Sequence, residues 1–492
     1  MNTENNRPGR RVAVASAQRL LRTCLALTLL TAGQSYAAQT DSSPAPTPAA
    51  SQSSSQSAAQ VAAQLAAAQQ LDDEYQKLIS SAYSQLAQSK QFTLSSSDLA
   101  TLLTEVRSAD SKGLPDRVAG LSLANMATIQ AQIKSKEIAE LARLILANHA
   151  TGIAKDILDY AQKNGDRFSR AGLNFEFAKY YANQNQWDKA IAHLKTFDLT
   201  NDIGSQESDE AYIIVGAALQ AKKKHREALE YYGKIKPGSP HYVIAQLDKA
   251  LVYIRQDWWT DAQITMEDAI KAAGKDDIEL VNRLYTVMGF SQLQQGFYRN
   301  ARDSFRNVKI NSAYSNRALL GIGMAALNQE DYTGAVNIFA KLKSQNSSDS
   351  HDMSVAQAYL LEAFTLAKTQ QPDAATAKYT EAINYYGNKV NYYSNLLKSL
   401  NENATGNAFK QDETILSEHG YLKTQAEKLD SLARLSGYPL SPQALQQSAN
   451  LSARLYKIYR ELSQEALNKK QAAFNNYLSQ SNFGLTRLYD SQ

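Results

Sequence analysis

The chain has 492 residues and a mass of 54.2 kDa, with 52 Lys and Arg against 48 Asp and Glu. Five of the arginines (Arg7, Arg10, Arg11, Arg19, Arg22) and one acid, Glu4, fall within the first 37 positions, so the remainder holds 47 of each sign and is formally neutral. Bulk charge therefore gives no support to binding of nucleic acid or anionic lipid. Only six of the ten prolines lie beyond Pro48, and so few helix breakers over 444 residues predict a mostly helical protein.

The first element is an export signal, residues 1–37. Arg10, Arg11, Arg19 and Arg22 form a positive start, Cys24 to Leu30 begins a short apolar run, and Ser35-Tyr36-Ala37 places small residues before a cut between Ala37 and Ala38. The long positive region leaves room for a start downstream of Met1. The apolar run falls short of the roughly 20 residues that cross a bilayer, and no later segment reaches that length. Cys24 is the single cysteine and reads as an ordinary residue of the apolar run. Cleavage would remove the only thiol, and with it disulfides, thiolate metal sites and Cys nucleophiles. These features predict a periplasmic protein.

Residues 38–60 are Ser, Ala, Pro and Gln with almost no charge or bulk, a linker with nothing to bury. An N-terminal helical region, 61–165, follows. Val61, Leu65, Ala68, Tyr75, Ile79, Ala82 and Leu86 recur at helical spacing, with Asp72 interrupting the stripe. The helices of 95–165 break near Gly113-Leu114-Pro115.

Beyond that the chain repeats itself. Ala190, Ala228, Ala262, Ala301, Ala335 and Ala375 each sit in a similar helix–turn–helix block, separated by 38, 34, 39, 34 and 40 residues. A period near 34 with helical patterning resembles the tetratricopeptide repeat (TPR). In that repeat a small residue of helix A packs on helix B, an aromatic precedes the alanine and a large apolar residue follows it. The matches include Val215-Gly216, Ala228 and Tyr232; Ala250, Tyr253, Trp259, Ala262 and Met266; Met288-Gly289, Tyr298, Ala301 and Phe305; and Ile322-Gly323, Tyr332, Ala335 and Phe339. Ala178, Tyr181, Trp187, Ala190 and Leu194 open the series. Ala363, Ala375 and Tyr379 close it, and Ala142, Ala154 and Leu158 form a degenerate block upstream. Tyr314 to Met324 (YSNRALLGIGM) with Asp331-Tyr332, and Arg487-Leu488-Tyr489-Asp490, resemble segments of an uncharacterised exported proteobacterial TPR family. The resemblance implies an all-α fold, a right-handed TPR superhelix (α-solenoid) with helical N- and C-terminal flanks. Its array of about six repeats covers 166–386. The C-terminal helical region, 387–492, contains a loop near Asn403-Gly406, a break at Gly437-Tyr438-Pro439 and Pro442, and a long helix over 443–480 that would cap the array.

Chemistry is hard to find. The six histidines (149, 193, 225, 241, 351, 419) include no pair within five residues, so no helical metal pair exists. Gly321-Ile322-Gly323-Met324-Ala325-Ala326 formally reads G-x-G-x-x-A, but it lies mid-helix and reads as packing. Phosphate-loop, G-x-S-x-G and H-E-x-x-H motifs are absent. Lys222 to Arg226 reads as a solvated turn, and the tyrosines on repeat core positions as packing. No cofactor, metal site or enzymatic activity is expected.

The expected function is a periplasmic scaffold for protein–protein interactions in cell-envelope assembly. The alternative is a structural oligomer, or a coordinator of division or the envelope, assembled through the 61–86 helix. In TPR domains the A helices line a groove. The matching positions are Phe175, Lys179, Ile213, Leu247, Leu251, Arg255, Phe290, Gln294, Leu320, Met324 and Asn328. The resemblance implies an apolar groove with polar rims, suited to a helix or extended apolar segment of a protein partner. The Lys/Asn carboxylate clamp of chaperone-binding members is missing, since Phe175 and Lys179 occupy those places.

Overall fold

The computed structural model describes residues 61–87, 92, 98–347, 350–369, 371–402 and 420–490. The export signal, the 38–60 linker and the loop near Asn403 lie outside them. Every regular element among the described residues is helical, and the chain is an all-α solenoid. It divides into two units. Among the described residues, one unit gathers 61 to Ile235 with Leu396–Asn468, the other Lys236–Asn395 with Lys469 onward.

In the first unit, α1 (Asp72–Ala87) follows a helical stretch over 61–70. Then come α2 (Leu99–Ser111), α3 (Pro115–Ala124), the short α4 (Met126–Ala131), α5 (Glu137–Ala147), α6 (Thr151–Asn164), α7 (Arg167–Asn183), α8 (Trp187–Leu194), α9 (Ser205–Ala221) and α10 (His225–Lys234). In the second lie α11 (Tyr242–Arg255), α12 (Trp259–Ala272), α13 (Ile278–Gln294), α14 (Tyr298–Arg306), α15 (Ser315–Asn328), α16 (Tyr332–Ser344) and α17 (Met353–Lys368). α18 (Pro372–Glu402) and α20 (Pro442–Tyr489) contribute residues to both units, and α19 (Gly420–Leu435) belongs to the first.

One turn geometry builds the hairpins. His149, Asn185, Lys223, Asp257, Gly296 and Glu330, with φ from 58° to 83°, close α5, α7, α9, α11, α13 and α15. The next residue's N–H then reaches back five positions, as Trp258 does to the Tyr253 carbonyl at 2.9 Å and Asp331 to the Ala326 carbonyl at 3.0 Å. This left-handed closure satisfies carbonyls that a helix end leaves open. Five residues after each turn stands a fully buried alanine: Ala154, Ala190, Ala228, Ala262, Ala301 and Ala335. The alanine period of the sequence is thus the period of the turn. Gly113 (φ 64°) closes α2 in the same way, so the break read at Gly113-Leu114-Pro115 is another hairpin turn, with Pro115 at the first position of α3.

Packing within a hairpin follows one rule. Sixteen residues after the small residue of helix A comes a bulky residue of helix B. A Cβ added at Gly216 or Gly323 would lie 2.4 Å from the ring of Tyr232 or Phe339, and one at Gly289 2.6 Å from the Phe305 ring. These glycines stand where the two helices approach closely. Phe305 is gripped twice, because a Cβ at Gly321 of the following hairpin would also strike it. This accounts for both glycines of the G-x-G-x-x-A stretch. Where helix A carries alanine instead, at Ala142, Ala178 and Ala250, the partner position holds an aliphatic or thioether side chain: Leu158, Leu194 or Met266. Volume is conserved across the pair. Of the tyrosines read as core, Tyr232 and Tyr379 are buried, whereas Tyr181, Tyr253, Tyr298 and Tyr332 are half-buried at hairpin edges.

The flanks are used differently. α1 buries Tyr75, Ile79, Ala82 and Leu86 within its own unit, so the stripe that could drive self-association is covered by the chain itself. Asp72, the misfit on that stripe, lies 2.7 Å from Lys428 of α19. The Gln76 side chain bridges the α5–α6 turn, donating to the His149 carbonyl and accepting from Gly152 N–H, each at 3.0 Å. In the second unit the sixth hairpin's helix B does not stop near Tyr386. Tyr386 and Tyr393 keep an apolar stripe running, and residues 471–484 of α20 cover it. Phe474 stacks on Tyr393 at 5.6 Å, Gln357 donates to the Tyr477 hydroxyl at 3.1 Å, and Gly484 faces the Tyr379 ring. α20 is longer than the 443–480 span read from sequence. Ser441 opens it, accepting from Ala444 N–H, and Pro442 takes the first position.

Candidate functional site

The eleven groove positions separate into two groups. Phe175, Ile213, Leu247, Phe290, Leu320 and Met324 are all 5% exposed or less. They belong to the core, and the open apolar groove expected from them is not present. The physical reason is their bulk. Large apolar side chains on helix A draw neighbouring helices over them, as Phe290, Leu320 and Met324 do in one cluster with Phe305 and Phe339. Leu251 is half-buried on the cluster around Leu247, Ala250 and Met266. Solvent reaches Lys179, Arg255, Gln294 and Asn328, the polar members. Asn328 is tied to its own helix, donating to the Met324 carbonyl at 2.7 Å.

The accessible face of the A helices in the first unit is charged. Arg107 of α2 holds Glu140 of α5 through two hydrogen bonds, of 2.8 Å and 2.5 Å. Glu140 also stands 3.6 Å from Arg143. On α7, Lys179 lies 2.9 Å from Glu176 and 3.9 Å from Glu210 of α9, with its ammonium 4.7 Å above the buried Phe175 ring. The Arg107 hydrogen bonds pull the Glu140 carboxyl below its usual range. Burial pushes the Glu176 carboxyl up, against the pull of Lys179. Reading by apolar pattern missed Arg107, Glu140, Arg143, Glu176 and Glu210. The signal was available, because Glu140/Arg143 and Glu176/Lys179 are the same i,i+3 pair repeated 36 residues apart, the separation of the turns at His149 and Asn185.

In the second unit Asp248 of α11 occupies the register position of Glu140 and Glu176. It is half-buried with one oxygen sealed from solvent. Burial raises its carboxyl to about 6, while Arg283 and Arg255 pull the other way. The Lys222 to Arg226 cluster is a turn. Lys223 takes the positive φ, Lys222 pairs with Asp188, and Lys224 lies 3.0 Å from Glu227.

Among the described residues no group of three or more His, Cys, Asp and Glu gathers as metal ligands would. A cleft of about 480 Å³ is lined by Gln130, Gln132, Ile133, Lys134, Ser135 and Tyr160 with two neighbours. The Ser135 hydroxyl in its lining donates to the Glu137 carboxylate beside it. No helix among the described residues is long and apolar enough to cross a membrane.

No family model matches the chain, and no curated protein matches it. Solved structures do. YrrB, described as a TPR protein with an unusual peptide-binding site, matches at 20% identity over 40% of this chain and 91% of its own, with a TM-score of 0.30. The apo form of RapI matches at 12% identity over 68% of this chain and 98% of its own, with a TM-score of 0.44. NprR, solved with its cognate peptide NprX, matches at 14% over 64% and 96%, with a TM-score of 0.30. The common turn, the buried alanine five residues on and the sixteen-residue packing pair are properties of this chain itself, and they make its fold that of a tetratricopeptide-repeat protein.

Proposed function

We propose that this chain is an exported, non-catalytic scaffold that holds protein partners in the periplasm during cell-envelope assembly. The observation that supports it best is the array of like hairpins presenting charged A-helix side chains, from Arg107 through Glu140, Arg143 and Lys179 to Glu210. A surface of that kind recognises a polypeptide through polar contacts along its length, rather than by swallowing an apolar helix. The Arg-rich start and the Ser35-Tyr36-Ala37 pattern support export. The test is in-cell crosslinking followed by mass spectrometry, with N-terminal sequencing of the captured chain. The expected result is a mature start at Ala38 and envelope proteins crosslinked near Lys179. An intact N-terminus on cytoplasmic protein overturns the compartment, and crosslinks confined to this chain overturn the scaffold.

A further inference from the structure

α19 buries polar and ionised side chains alongside its leucines. Its inward residues are Leu422, Gln425, Lys428, Ser431, Leu432 and Leu435, half of them polar or ionised. α15 by contrast buries only apolar residues and glycine. Charged pairs tie α19 to three other elements of its unit. The Lys428 side chain is 5% exposed, with its ammonium 2.7 Å from Asp72 on α1 and 5.7 Å from the Tyr75 ring. One residue earlier, Glu427 lies 2.7 Å from His149 Nε2 in the α5–α6 turn and 3.9 Å from Lys423 of its own helix. At the far end Arg434 is 3.3 Å from Asp116 of α3. The same Asp116 accepts from the Tyr83 hydroxyl of α1 at 2.6 Å and the Tyr438 hydroxyl at 3.1 Å.

Neutralising Asp72 would strand the Lys428 ammonium in a nearly dry site, which is far costlier than losing an exposed pair. We propose that α19 is a strap, fastened by charge to α1, α3 and the α5–α6 turn, and that acid releases it as a unit while the repeat hairpins stay folded. Burial tends to raise the Glu427 carboxyl, but the His149 bond and Lys423 outweigh it and hold the carboxyl low. A carboxyl lowered in the folded state contributes stability above its unfolded value and loses it as pH falls through the lowered one, which is the direction of release.

Hydrogen-exchange mass spectrometry of the full chain tests this. At pH 7.5, Asp72→Asn is expected to speed exchange in α19 by about tenfold or more while α15 stays at the wild-type rate. Adding Lys428→Met removes the stranded cation and is expected to restore protection. The wild-type chain at about pH 3, below the lowered Glu427 value and corrected for intrinsic exchange, should show the same selective opening. Unchanged α19 in Asp72→Asn, equal acceleration of α15, or an α19 that stays fast in the double variant would each overturn the strap.

Discussion

At the scale of single residues, the hairpins depend on where bulk is forbidden and where φ is positive. Gly323→Leu drives a side chain into the Phe339 ring and should cost roughly 1–3 kcal/mol or more, read as a lowered Tm. Gly323→Ala combined with Phe339→Leu recreates the pairing already used by Ala178 and Leu194, and is expected to recover most of the loss of Gly323→Ala alone. An unrecovered double variant would show that the pair does not share one volume. The turns offer an independent check. Glu330 sits at φ 62°, where a Cβ is strained, so Glu330→Gly should gain up to about 1 kcal/mol and Gly296→Ala should lose about as much. Urea denaturation of both variants measures this. Asp248 adds a pH-dependent expectation. Its carboxyl is raised to about 6, so the folded state holds the proton more tightly than the unfolded state. The stability this contributes is complete below the unfolded carboxylate value and is lost as pH rises through 6. Asp248→Asn should therefore be the more stable protein at pH 7.5, by on the order of 1 kcal/mol, with the advantage vanishing near pH 4.

Among elements, the last hairpins are joined by an ion cluster rather than by apolar contact alone. Glu362 of α17 is buried between Lys343 of α16, at 2.6 Å, and Lys378 of α18, at 3.4 Å. Glu381 completes the set, 2.7 Å from Lys343 and 2.9 Å from Lys378. The Lys343 ammonium also lies 4.3 Å over the Tyr359 ring, which stacks on Tyr385 at 4.0 Å. Glu362→Leu leaves Lys343 half-paired in a dry site and should cost roughly 3–5 kcal/mol, whereas Lys343→Met with Glu362→Leu should regain most of it. Thermal melts of the two variants decide the matter, and equal destabilisation would mean the cluster matters for more than charge balance. The same kind of contact explains Asp72. In the sequence it is a blemish on an apolar stripe, and only a lysine 356 positions away turns it into a paired group. Element type and turn position were legible because they depend on neighbours in the chain. Partners such as Lys428 and Glu362 were not, because no local pattern specifies what a distant helix brings to them.

For the whole molecule, an array of like hairpins ends in apolar faces that must be covered. In the unit that ends the array, residues 471–484 of α20 cover α17 and α18 with Phe474 and Tyr477. Deleting 471–492 should expose Tyr386 and Tyr393 and promote aggregation relative to the full chain, as sedimentation velocity would show; a soluble, folded truncation would mean those faces need no cover. The sequence by itself determined the helical class, the repeat period and the glycines at close approach. Each of these is set by backbone sterics and by periodicity within some 40 residues. What only the tertiary structure decided is which side of each helix stays open. The groove read from repeat register was apolar, yet bulk at Phe290, Leu320 and Met324 is what closes a face, because large apolar side chains gather helices over themselves. In the first unit the charges at Arg107, Glu140, Arg143 and Lys179 stay where water and a partner can reach them, because desolvating a charge is costly unless ion-pairing compensates it, as it does for the buried Lys343, Glu362 and Lys428.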